Sequence, residues 1–149
     1  MNNPGLGRSI LIVDDVEYYR TMLSDVVRSL GHCDLFAQDG PSAVKMVERN
    51  RENLDLVLLD LSMPPSNDPQ EGLRALRRIR KMAPDLPVVV MTSFMSLRKR
   101  SQQLGAQGFI EKDSLLSERV RELLARQFGG MSASPTVEPS QAQLWPKVS

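Results

Sequence analysis

The stretch Leu54-Asp55-Leu56-Val57-Leu58-Leu59-Asp60-Leu61-Ser62-Met63-Pro64 constrains this chain more than any other. It is a near-continuous apolar run, the pattern of a strand covered on both faces within a parallel sheet. The run ends in a carboxylate and then a Met-Pro turn. Proline lacks a backbone donor and pushes the residue before it out of helical space, so the strand stops about there. Asp60 is thereby carried to the exposed end of an otherwise buried strand. In open α/β sheets, ligands bind at the carboxyl ends of the strands.

One carboxylate at a strand end could simply cap the next turn. Three further strand ends strengthen the case. Ser9-Ile10-Leu11-Ile12-Val13 ends in Asp14-Asp15, and Pro87-Val88-Val89-Val90-Met91 ends in Thr92-Ser93. Gly108-Phe109-Ile110-Glu111 ends in Lys112. Four strands thus bring carboxylates, a hydroxyl and an ammonium to one edge of one sheet.

Between these strands the apolar spacing turns helical. Tyr19, Met22, Leu23, Val26, Val27 and Leu30 repeat at three and four, and Gly31 follows as a stop. Cys33 to Ala37 reads as a short strand, and Gly40-Pro41-Ser42 opens a helix to about Arg49. After Asp60, the segment Pro64 to Gln70 is dense in turn formers, and a helix is expected from about Glu71 to Met82. A short, polar helix is expected near Leu97 to Leu104. Asp113 or Ser114 is placed as the N-cap of a last helix whose inner face is Leu115, Leu116, Val120, Leu123 and Leu124. Strict alternation of five strands and five helices implies a parallel sheet with helices on both faces.

At 149 residues the chain suits one domain. The division expected is an extension over 1–8, a domain over 9–128 and a flexible tail over 129–149, where periodicity gives way to Ser, Pro and Gln. Trp145 lies in that tail and reads as part of a solvated end. Net charge is +1, from 19 basic and 18 acidic side chains, so no global field favours nucleic acid or membrane. The basic run Arg74, Arg77, Arg78, Arg80 and Lys81 has no interleaved aromatics and reads as a solvated helix face. Cys33 is the single cysteine and is expected to pack as a small hydrophobe in a reducing compartment. No signal-peptide core or membrane-length run is present, so the expected location is the cytoplasm.

Asp14-Asp15, Asp60 with Met63-Pro64, Thr92, and Gly105-Ala106-x-Gly108-Phe109-Ile110-x-Lys112 together resemble the receiver domain of two-component response regulators, of the stand-alone chemotaxis-regulator kind. Taken singly, each has a bland reading: Asp14-Asp15 as a cap pair, Thr92 as a strand residue, Lys112 as a solvated end, Phe109 as core. No requirement of folding puts all of them at one edge. The resemblance implies a flavodoxin-like doubly wound sheet of order 2-1-3-4-5. It also implies a phosphoryl-accepting switch, not an enzyme, in a phosphorelay.

A carboxylate that accepts a phosphoryl group is a covalent nucleophile, and Asp60 is the candidate. Hard oxygen ligands suit Mg²⁺ or Mn²⁺. By resemblance, Asp15, Asp60 and the Ser62 carbonyl ligate the ion directly, with Asp14 assisting partly through water. Lys112 and Thr92 would meet the phosphoryl oxygens, and Phe109 matches the family's switch aromatic. The partners implied are a histidine kinase or histidine phosphotransfer protein and a downstream protein effector, with the chain a monomer or a weak dimer through the last strand and adjacent helices.

The chain departs from the family pattern at four points. Asp113 stands where proline usually follows the lysine, and Ser93 where alanine usually follows the threonine. The loop from Pro64 to Gly72 is long, and the helix after Thr92 is short and basic, with Arg98, Lys99 and Arg100. A receiver-like interaction module that is never phosphorylated is the other reading. An aspartyl-phosphate phosphatase of the haloacid dehalogenase-like kind would need an acid two residues after the nucleophile, where Ser62 stands.

Overall fold

A computed structural model describes residues 7–63, 67–129 and 142–144. Five parallel strands, β1 (Ser9–Val13), β2 (Cys33–Ala37), β3 (Leu56–Asp60), β4 (Val88–Thr92) and β5 (Gly108–Glu111), lie in the order 2-1-3-4-5. A sixth strand, β6 (Ala142–Leu144), pairs antiparallel with β5, Phe109 opposite Gln143. Helices α1 (Glu17–Ser29), α2 (Gly40–Asn50), α3 (Pro69–Met82), α4 (Arg98–Gln103) and α5 (Leu116–Phe128) make the connections, with a 3₁₀ turn at Met95–Leu97 before α4. The flavodoxin-like architecture read from the sequence is the one observed. Among the described residues no helix is long and apolar enough to cross a membrane.

Alternation along each strand divides the core in two. Leu11, Val13, Val57, Leu59, Val88, Val90 and Phe109 pack under α2 and α3. Ile10, Ile12, Leu56, Leu58, Val89, Met91 and Ile110 pack under α1 and α5. Nearly all of these are fully buried, and each large one contributes about 1.5–3 kcal/mol. Both faces of β3 are therefore covered, and all five of its residues, Leu56 to Asp60, are buried.

Several local expectations are corrected. Pro69 is not a loop residue: it is the first residue of α3, where its missing N–H is no loss, and the Asp68 carboxylate accepts from Gln70 N at 2.9 Å. Neither Asp113 nor Ser114 caps α5. Leu115 takes that place without a side-chain hydrogen bond, because Asp113 folds a turn just ahead of it, accepting from Leu115 N at 2.9 Å. Cys33 is exposed rather than packed, since it starts β2, an edge strand with one neighbour. The tail contains β6, which its polar composition did not signal. Pro64 to Ser66 and Trp145 lie outside the described residues.

The strand end at Asp60 is held by α3. Gly72 N donates to Leu61 O at 3.0 Å, and a Cβ on Gly72 would stand 2.2 Å from Leu61 Cα. That neighbour is backbone and cannot swing aside. Gly72→Ala is expected to destabilise the fold by about 3 kcal/mol or more, beyond ordinary overpacking. Chemical denaturation of the two proteins checks this, and equal midpoints would contradict it.

Candidate functional site

The carboxyl ends of β1, β3, β4 and β5 place the four motif segments together. Asp14 follows β1, is fully buried, and accepts from Val16 N at 2.9 Å through Oδ1. Asp60 ends β3 at 2% exposure, with Ser62 N 3.4 Å from its Oδ1. Lys112 follows β5, and its backbone N donates to Thr92 O at 2.9 Å, tying it to the end of β4. Its Nζ lies 2.7 Å from Asp14 Oδ2 and 3.3 Å from Asp60 Oδ2.

Asp14, Asp15 and Asp60 each offer a carboxylate oxygen, and these oxygens lie within 4.8 Å of one another. Asp15 is half-buried where the other two are buried. Three carboxylates against one ammonium leave the pocket short of positive charge. The donors are all hard oxygens from the ends of β1 and β3, the set that suits Mg²⁺ or Mn²⁺ rather than a soft metal. The residues present therefore fit a divalent ion. Ser62, half-buried, follows Asp60 on the same turn.

The Asp60 carboxyl is raised to about 7, burial being the largest cause. Lys112 pulls it down, and Asp14 pushes it up again. Burial alone would lower the Lys112 ammonium, but Asp60 and Asp14 outweigh it and hold it above its ordinary value. In the absence of metal, the proton shared in this cluster sits on Lys112 and, near neutrality, partly on Asp60.

Thr92 is buried at 1% exposure, and its Oγ1 accepts from Phe94 N at 3.1 Å. Phe109 on β5 is also inside, at 3% exposure. Phe94 is 47% exposed on the rim beside them. His32 is far from this cluster in role: its Nδ1 accepts from Arg8 N at 2.9 Å, and its ring meets Phe128 edge-on.

Two participants escaped the sequence reading. The Tyr19 ring, read as helix core, lies 3.9 Å from Lys112 Nζ, where its face attracts the cation. Its place in the first turn after the aspartate pair was the available signal. Arg119, in the middle of an amphipathic helix, is buried at 4% exposure and bonds Asp113 at 2.7 Å. No local pattern marks a helix arginine as buried.

Comparison with known proteins gives a consistent result. The family model described as "Response regulator receiver domain" matches residues 10–124. Response regulator MprA of Mycobacterium sp. (strain KMS) is 35% identical over 122 residues, covering 78% of this chain and 50% of that protein. Regulator of RpoS of Escherichia coli (strain K12) is 31% identical over 126 residues, covering 83% of this chain and 36% of that one. The chain thus spans half or less of the length of these curated relatives. Among solved structures, the CheX-CheY-BeF3-Mg+2 complex from Borrelia burgdorferi matches with TM-score 0.73 at 26% identity, over 83% of this chain and 91% of that one. The receiver domain of sensor histidine kinase PA1611 from Pseudomonas aeruginosa, with magnesium coordinated in its active-site cleft, gives TM-score 0.69 at 27% identity, over 83% and 99%.

The raised Asp60 value has a consequence for stability. Unfolded, Asp60 ionises near its ordinary 3.8; folded and metal-free, near 7. Between those values the folded chain keeps a proton that the unfolded chain has lost. The contribution is therefore full below about pH 4 and lost as pH rises through about 7. Relative to Asp60→Asn, the metal-free parent is expected to lose about 2–4 kcal/mol over that window, at about 1.4 kcal/mol per unit. Melting curves in chelator at matched pH would show it, and parallel pH profiles for the two proteins would refute it.

Proposed function

The chain belongs to the response regulator receiver domain family, and on that footing we propose that it is a phosphoryl-accepting switch in which Asp60 is the acceptor. The observation that carries this reading is the Asp60 carboxylate at 2% exposure, 3.3 Å from Lys112 Nζ and grouped with the Asp14 and Asp15 oxygens.

An Asp60 Oδ attacks the phosphorus of a phosphohistidine on a histidine kinase or phosphotransfer protein. The O–P bond forms, the P–N bond breaks, and the imidazole leaves with the electron pair. A divalent ion, held by Asp14, Asp15, Asp60 and the Ser62 carbonyl, would neutralise charge on the carboxylates and the phosphoryl oxygens. Lys112 presents its ammonium to those oxygens, exchanging contact with Asp14 for contact with the new anion. The Thr92 hydroxyl, turned from Phe94 N, donates to the same group. Phe109 is already inside, so the relay would consist of holding it there and reorganising the Phe94 to Arg98 segment.

Val16, Tyr18, Phe94 and Leu115 are exposed apolar side chains on the segments that carry the site, at 42–69% exposure. They suit an apolar surface of the phosphodonor protein settling over Asp60. The downstream partner is a protein effector at α4 and α5, in the cytoplasm, with no direct part for nucleic acid or membrane. Because β6 takes the outer edge of β5, any weak dimer would use those helices rather than strand pairing.

Incubation with a small phosphodonor and Mg²⁺ is expected to add one phosphoryl group, read by intact mass. Asp60→Asn or chelation should abolish it. Label persisting on the Asn variant would end the assignment.

Hydrolysis requires a water in line with phosphorus. Ser62 is small and polar, whereas Phe94 is bulky and cannot orient a water. Shielding by Phe94 is expected to give a persistent phosphorylated state, and Phe94→Ala to shorten it about tenfold, equivalent to about 1.4 kcal/mol of barrier. Dephosphorylation rates of the two proteins decide it, an unchanged or slower rate in the variant removing Phe94 as the gate.

A further inference from the structure

We propose that Arg119 of α5 is a positioning residue for Lys112, acting as a clamp across the turn on which Lys112 sits. The proposal rests on the reading of Lys112 as a phosphoryl-contacting group and extends it to a residue that never meets the phosphoryl group itself.

The clamp is visible on both sides of Lys112. Arg119 Nη1 lies 2.7 Å from Asp113 Oδ1, one residue after Lys112. The same nitrogen donates to Glu111 O at 3.3 Å, one residue before it, and stands 3.9 Å from Glu111 Oε1. Asp113 in turn accepts from Leu115 N at 2.9 Å through the same Oδ1, and its carbonyl accepts from Leu116 N at 3.1 Å. These bonds from Arg119 brace the backbone on both sides of Lys112, which projects toward Asp14 and Asp60.

Stability alone is a poor reason for such a residue. Arg119 is 4% exposed, and its Nε is buried without a hydrogen-bond partner among the described residues. Burying a guanidinium is costly, and well-packed apolar side chains avoid that cost. Its carboxylate partners lie nearer solvent, the Asp113 side chain 35% and the Glu111 side chain 31% exposed. The turn also lacks a proline: Asp113 has a free φ, so nothing covalent restrains the chain after Lys112. An ion pair from the next helix supplies the restraint that a ring would otherwise give.

Positioning to within a fraction of an ångström matters here, since a 1 Å displacement of a catalytic group can cost about a hundredfold in rate. The test uses Arg119→Met, which keeps the buried stem, and Asp113→Ala, which opens the clamp from the exposed side without touching the core. Each is expected to slow Mg²⁺-dependent phosphoryl incorporation from acetyl phosphate about tenfold with Lys112 present. In a Lys112→Ala background neither should slow it further, because the clamp acts through that side chain. Independently of any phosphoryl chemistry, the Nζ resonance of Lys112 in the metal-free protein should move toward the free-lysine position in both variants. A parent that accepts no phosphoryl group would overturn the functional reading and leave that resonance to judge the clamp. An unshifted resonance in both variants, or equal slowing with and without Lys112, overturns the proposal.

Discussion

A half-buried ammonium shared between two buried carboxylates sets the terms for the rest of this molecule. Lys112 reaches Asp14 and Asp60 only because β5, β1 and β3 end level with one another, and the parallel register of the sheet brings that about. The nearby ammonium favours the charged form of Asp60, which burial disfavours. The lysine makes the burial tolerable yet leaves a deficit of positive charge. That deficit is what makes the three oxygens suited to a divalent cation.

Strand ends and their chemistry were legible because both are local. A buried strand must be apolar throughout, so the place where Leu58-Leu59 gives way to Asp60 announces a boundary and a functional group in the same position. The same logic found Asp14, Thr92 and Lys112, and the alternation of periods fixed the architecture. What escaped was tertiary. Tyr19 reads as helix core whether or not a cation lies on its ring, and Arg119 looks like any polar helix residue until the turn before α5 folds against it. β6 escaped for a related reason: three residues paired to an edge need only a free edge opposite, and no pattern of their own.

The boundary errors share a cause as well. Pro69 counts as a turn former in the sequence, whereas at a first helical position proline starts a helix. At α5 the sequence offers Asp113 or Ser114 as an N-cap, and the structure puts Leu115 there. Asp113 shapes the approach to the helix rather than capping it, and that role became readable only beside its buried arginine.

Asp14 and Lys112 are 98 residues apart in sequence, yet they meet at 2.7 Å. A site assembled from such distant segments has no partial form. A nascent chain lacking β5 has the Asp14 and Asp60 carboxylates but no ammonium to place beside them, and a local opening at that edge removes the same group. Contacts this remote in sequence form only when the chain has closed its longest loops. Signal competence in this chain would then be a property of the finished fold alone, so that immature or damaged copies stay silent instead of reporting falsely.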